Sequence, residues 1–121
     1  VSEPIVSIID DDEAVRASLD SLVRSLGMRS ASFASAEGFL ASEIAVQSRC
    51  VISDIDLPGG MTGFELAKRL VENFSQPLIL VSGRSNKDYE AKAREVGAIC
   101  FLRKPFSAET LIGCLSSVLA F

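Results

Sequence analysis

The stretch "CVISDIDLPGGMTGFE", Cys50 to Glu65, decides how the chain is read. A short, mostly apolar run ends at Asp54. Pro58, Gly59 and Gly60 then mark a turn. From near Thr62 the apolar spacing changes: Phe64, Ala67, Leu70, Val71 and Phe74 recur as on one face of a helix. A strand, a turn and an amphipathic helix make half of a βαβ unit.

The same alternation extends in both directions. Short strand-like runs occupy 5–10, 28–33, 50–54, 77–82 and 98–102. The second, "MRSASF", is polar enough to predict an edge strand. Helical patterns lie between them. Val15, Leu19, Leu22, Val23 and Leu26 keep helical spacing and stop at Gly27. "SAEGFLASEI" opens on an N-cap at Ser35, weakened by Gly38. Segment 86–96 has a thin stripe of Tyr89, Ala93 and Val96. The last helix opens on Ser107 and shows Leu111, Leu115, Val118 and Leu119. Strand and helix thus alternate five times, which predicts a parallel sheet covered on both faces. With right-handed crossovers, the expected strand order is 2-1-3-4-5.

The 121 residues suit one domain with a single core, read as spanning 1–121 with no output domain inside it. Net charge is −4, and the bases are interleaved with acids, which argues against nucleic-acid binding. Cys50, Cys100 and Cys114 are an odd set without a CxxC, and the chain has no histidine. They read as buried thiols of a reducing compartment. No apolar run approaches the roughly 18 to 20 residues a membrane span needs, so a cytoplasmic, membrane-free protein is expected.

Ligands of open parallel sheets bind beyond the strand C-termini, where the strand order reverses. In order 2-1-3-4-5 that point lies between strands 1 and 3. Strand 1 ends in Asp10, Asp11 and Asp12, strand 3 in Asp54 and strand 4 in Ser82; strand 5 leads to Lys104-Pro105. Crowded carboxylates need a proton or a cation to coexist. Mg²⁺ suits them, because it needs few protein carboxylates and leaves room for water and phosphate oxygens. Adding a lysine and a hydroxyl makes a receptacle for a phosphoryl group, with an Asp oxygen as in-line nucleophile.

On these residues the chain resembles the receiver domains of two-component response regulators, which share a flavodoxin-like (βα)5 fold. The matching motifs are "IIDDDEAVR", "VISDIDLPGGMTG", "LILVSG" and "FLRKPF"; "SFASAEGFL" is similar to receivers of the FixJ type. The resemblance implies that Asp54 accepts phosphate from a histidine kinase and that the chain is not a turnover enzyme. It implies Mg²⁺, or Mn²⁺ in its place, held by Asp11 directly, by Asp10 through water, by Asp54 and by the backbone carbonyl of Asp56. Ser82 and Lys104 would bind the phosphoryl oxygens, and Phe101 would be the aromatic switch. The face made by the fourth helix, fifth strand and fifth helix would then meet an output domain, a partner protein or a second copy. A cis bond before Pro105 is also a family expectation. In one departure, Gly63 follows the acceptor by one residue more than usual, so Gly59-Gly60 adds a residue to the loop. In another, Asp56 stands where a neutral or basic residue is common.

Competing readings remain. Asp54 to Glu65 nearly spells a calcium loop, but Pro58 takes a ligand position and a strand precedes it. Asp54-Ile55-Asp56 is similar to the Asp-x-Asp motif of metal-dependent phosphatases, but that motif usually follows the first strand. A degenerate receiver serving only as a binding module is the third alternative. Asp12 reads better as a helix cap, and Glu65 as an exposed first-turn acid. Asp56 and Arg84 each lie two residues past a strand-end site residue. A pair between them would cover the pocket and set the lifetime of the acyl phosphate.

Overall fold

The computed structural model describes residues 3–73, 75–84 and 87–119. Val1, Ser2, Phe74, Ser85, Asn86, Ala120 and Phe121 lie outside them, so the Phe74 end of one predicted stripe and the Asn86 start of another are not described. The order is β1 (Ile5–Ile9), α1 (Glu13–Ser25), β2 (Arg29–Phe33), α2 (Ala36–Leu40), α3 (Ile44–Gln47), β3 (Ser48–Asp54), α4 (Gly63–Asn73), β4 (Leu78–Ser82), α5 (Lys87–Glu95), β5 (Cys100–Arg103) and α6 (Ala108–Leu119). All strands are parallel, in order β2-β1-β3-β4-β5. The polar β2 forms one edge, as predicted.

Period-2 alternation splits the core into two layers. Ile9, Val51, Leu78 and Leu80 face α2, α4 and α5 and pack with Phe39, Leu66 and Leu70. Val6, Ile8, Cys50, Ile52, Ile79, Val81 and Leu102 face α1 and α6 and meet Leu19, Val23, Leu111 and Leu115. Because both sheet faces are covered, the central strands are mostly apolar and buried, and the Ser7 hydroxyl among them is paired with that of Ser48 at 2.6 Å.

Caps set the helix starts. Asp12 accepts from the amides of Ala14 and Val15, Ser35 from Gly38, and Ser107 from Thr110. Thr62 and Glu65 form a reciprocal capping box on α4, so Glu65 is a capping residue rather than a merely exposed acid.

The sequence-based expectations need three corrections. The single helix read over 35–44 is two short ones: it stops at Leu40 and restarts at Ile44, whose amide is taken by the Ser42 hydroxyl. Gly38 in its only full turn leaves it too weak to continue. Val71 points outward, 62% exposed, into a groove between α4 and α5 that Val96 also lines. Cys100 and Cys114, expected as separate buried thiols, are half-buried and bridged as a disulfide between β5 and α6, with Cα atoms 6.3 Å apart. Cys50 alone is a free buried thiol, and burial pushes it from 9.0 up to about 12. Among the described residues, no helix is long and apolar enough to cross a membrane.

Candidate functional site

Parallel register brings the polar strand ends together. Ile9 pairs with Ser53, Asp54 with Val81, and Ser82 with Arg103. Asp10, Asp54, Ser82 and Lys104 therefore emerge side by side at one end of the sheet. Backbone bonds continue the ladder past the strands: Asp10 donates to Phe33, Ile55 to Val81, and Lys104 to Ser82. Arg16 on α1 fixes the Asp10 carbonyl at 2.6 Å.

Lys104 is the centre of the cluster. Its Nζ donates to Asp54 Oδ2 at 2.8 Å and to Asp10 Oδ2 at 2.9 Å. Both carboxylates are buried, 7% and 2% exposed. The Asp12 amide donates to Asp10 Oδ1 and the Asp56 amide to Asp54 Oδ1, each at 2.9 Å. The Lys104–Pro105 bond is cis. Burial pushes the Asp54 carboxyl above its ordinary 3.8, although Lys104 and the Asp56 amide pull the other way. Burial also works against the Lys104 charge, but its bonds to Asp54 and Asp10 prevail and hold it above 10.5.

Asp11, exposed, completes an acidic set with Asp10 and Asp54, whose ligand atoms all lie within 4.8 Å of one another. One ammonium serves two buried carboxylates, so negative charge is left over. Hard oxygens at this spacing fit a small divalent cation of the Mg²⁺ class.

Ser82 is fully buried, and its hydroxyl is engaged by the acceptor loop and by the turn that follows β4. It donates to Asp56 Oδ2 at 3.1 Å and accepts from the Arg84 amide at 3.0 Å. The Arg84 Nε lies 3.4 Å from Asp56 Oδ1, so the predicted Asp56–Arg84 pair is present. Tyr89 donates to the same Oδ1 at 2.9 Å. That bond, burial and the Asp56 charge raise the Tyr89 phenol above its ordinary 10. Phe101 is not part of this cluster. It pairs with Leu80, on the sheet face that Ser82 also shares, and borders a cleft of about 210 Å³.

The extra loop residue is absorbed beyond the cluster. Gly59 takes φ +77°, which a side chain would resist. The Met61 amide is caught by Glu37 of α2 at 2.7 Å, which lowers the Glu37 carboxyl. Gly63 closes the loop: its amide donates to the Ile55 carbonyl at 2.9 Å, and a Cβ there would sit 2.6 Å from the Asp54 carbonyl.

Of the residues expected from the sequence, the structure brings Asp10, Asp11, Asp54, Asp56, Ser82, Arg84 and Lys104 to one end of the sheet and leaves Phe101 outside that cluster. Sequence reasoning missed Tyr89, Glu37 and Arg16 as contacts. Tyr89 was visible only as an apolar stripe member, and no spacing rule ties position 37 to position 61.

A family model for the response regulator receiver domain matches residues 6–116. The response regulator protein TmoT of Ectopseudomonas mendocina is 39% identical over 97% of this chain and 53% of its own length. The transcriptional regulatory protein FixJ of Bradyrhizobium diazoefficiens is 34% identical over 94% of the chain and 56% of its length. The chain thus spans about half the length of these curated relatives. The solved structure of FixJ-N superposes with a TM-score of 0.85 at 29% identity, covering 98% of this chain and 94% of that one.

Proposed function

The chain belongs to the response regulator receiver domain family, and from that premise we propose that Asp54 is its phosphoacceptor. The observation that carries the reading is Lys104 bridging Asp54 and Asp10, with Asp11 beside them, at the sheet's switch point. The phosphoryl group comes from a phosphohistidine of a histidine kinase. An Asp54 carboxylate oxygen attacks phosphorus in line; the new P–O bond forms as the P–N bond breaks, and the imidazole leaves. Lys104 then moves its charge from the carboxylates to the phosphoryl oxygens, and the Ser82 hydroxyl leaves Asp56 to donate to one of them. The Asp56 amide keeps the acceptor carboxylate oriented.

Mg²⁺, with Mn²⁺ as substitute, would be held by Asp11, by Asp54, by Asp10 through water and by the Asp56 carbonyl. When bound, it supplies charge neutralisation on the transferring group.

An apolar groove of about 710 Å³ runs from Lys104 past Phe106 to Val15, Leu19 and Leu22 of α1, and suits a helix of the phosphodonor. Phe101 is the switch aromatic, free to move once Ser82 shifts on their common sheet face. The α5–β5–α6 face carries the signal to an output domain, a partner protein or a second copy of the chain. The Asp56–Arg84 pair limits water access and sets the phosphoryl lifetime. The chain acts in the cytoplasm and consumes one phosphoryl group per event rather than turning over a substrate.

The test is chemical. Borohydride reduction after acetyl phosphate treatment converts an acyl phosphate to an alcohol, and peptide mapping should place that change at Asp54. Sustained turnover of a generic phosphate ester, with no adduct at Asp54, would favour a phosphatase instead.

A further inference from the structure

The Asp56 carboxylate holds more than one task. Its Oδ2 accepts the Ser82 hydroxyl at 3.1 Å; its Oδ1 accepts the Tyr89 phenol at 2.9 Å and faces Arg84. Its own amide is bonded to Asp54. One residue therefore joins the acceptor, the phosphate-binding hydroxyl and helix α5.

Ser82 has a single hydroxyl proton. In this structure it is given to Asp56. A phosphoryl oxygen on Asp54 must compete with Asp56 for that proton, because Ser82 cannot donate to both.

Tyr89 decides how firmly Asp56 competes. The carboxylate is about a quarter exposed, so without a second anchor it can turn to Arg84 and solvent. The phenol supplies that anchor from the first turn of α5. Its ring is held edge-on against Phe64 of α4, with centroids 5.3 Å apart. Lys92 lies over the other partner's ring at 4.7 Å. Among the described residues of α5 only Ala93 is fully buried, so Tyr89 is a main tie between this helix and the acceptor loop. A cleft of about 330 Å³ beside Asp56 and Tyr89 leaves room for the ring to move out.

We propose that Tyr89 is a positioning residue of the phosphorylation site: through Asp56 it clasps Ser82 in the unphosphorylated arrangement, so that engaging a phosphoryl group means opening a contact with α5. This rests on Asp54 being the phosphoacceptor. It adds a route from the site to α5 that starts at a phenol–carboxylate bond.

The probe is beryllium trifluoride with Mg²⁺, a phosphoryl mimic, titrated calorimetrically into the whole chain. Tyr89→Phe keeps the ring on Phe64 and removes only the hydroxyl. Losing one hydrogen bond to a competing group should tighten binding about 2- to 10-fold. Asp56→Asn should tighten it as well. In a Ser82→Ala background, Tyr89→Phe should have no further effect. Tyr89 is the sole tyrosine and there is no tryptophan, so ultraviolet emission reports this phenol alone. Asp56→Asn should raise that emission by removing the carboxylate that quenches it. Unchanged affinity in Tyr89→Phe, or an effect that survives in Ser82→Ala, overturns the clasp while leaving the acceptor intact. No binding to the wild type overturns the acceptor reading and the clasp together.

Discussion

Replacing Gly63 by alanine should damage both the stability and the chemistry of the acceptor site. The added Cβ would lie 2.6 Å from the Asp54 carbonyl oxygen and 2.7 Å from the Ile55 Cα. Comfortable separations are about 3.5–4.0 Å, so roughly 1 Å must be found. Both neighbours are backbone at the end of β3, and no flexible side chain can yield. Moving α4 away would stretch the Gly63 amide bond to Ile55 and loosen Phe64, Leu66 and Ala67. Moving β3 would displace Asp54 from Lys104. Overpacking of this kind costs about 1–3 kcal/mol. For a domain of this size that is a fall in melting temperature of roughly 5–15 °C.

The control is Gly113→Ala on α6, where a Cβ meets nothing within 4 Å. That change should stabilise by about 0.5–1 kcal/mol through helix propensity alone. Thermal melts followed by circular dichroism read both variants. Acetyl phosphate labelling reads the chemistry, and Gly63→Ala should be slower by tenfold or more, since small misplacements of a nucleophile are costly. A Gly63→Ala protein that melts and labels like the wild type would refute the reasoning.

Other outcomes follow from the electrostatics. The Asp54 carboxyl is raised by burial, so the folded state favours its protonated form; that stability is present below the unfolded value and is lost as pH rises through the folded one. Asp54→Asn should therefore raise the melting temperature near neutral pH, and the gain should shrink as pH falls through the raised folded value and be gone below the ordinary 3.8. The Cys50 thiol keeps its proton to about 12 when folded but to 9.0 when unfolded. Stability should decline above about pH 9, by up to about 1.4 kcal/mol per unit, and urea titrations of Cys50→Ala should show a shallower decline. Mg²⁺ should stabilise the wild type, by about 2.7 kcal/mol at a hundredfold excess over its dissociation constant, and Asp11→Asn should lose most of that gain in a thermal shift assay.

The fold was legible because two periodicities agreed. Val6, Ile8 and Ile9 could only be a strand buried on both faces, and Leu19 with Val23 could only face inward on a helix. Topology then placed Asp10, Asp54, Ser82 and Lys104 together without any contact being known. What could not be read depended on side-chain direction across long sequence gaps. Glu37 reaches Met61, and Tyr89 reaches Asp56, through the relative placement of whole helices. The break at Leu40 turned on a local contest between a weak helix and the Ser42 hydroxyl. The Cys100–Cys114 pairing turned on how α6 docks against β5, which no spacing encodes.

The central claim is that Asp54 takes a phosphoryl group with help from its acidic neighbours. Intact mass after acetyl phosphate treatment in Mg²⁺ tests it most directly. The wild type should gain the mass of one phosphoryl group, and the gain should vanish in Asp54→Asn and on chelation of the metal. A wild type that gains nothing, or an Asp54→Asn protein that gains the same mass, would contradict it.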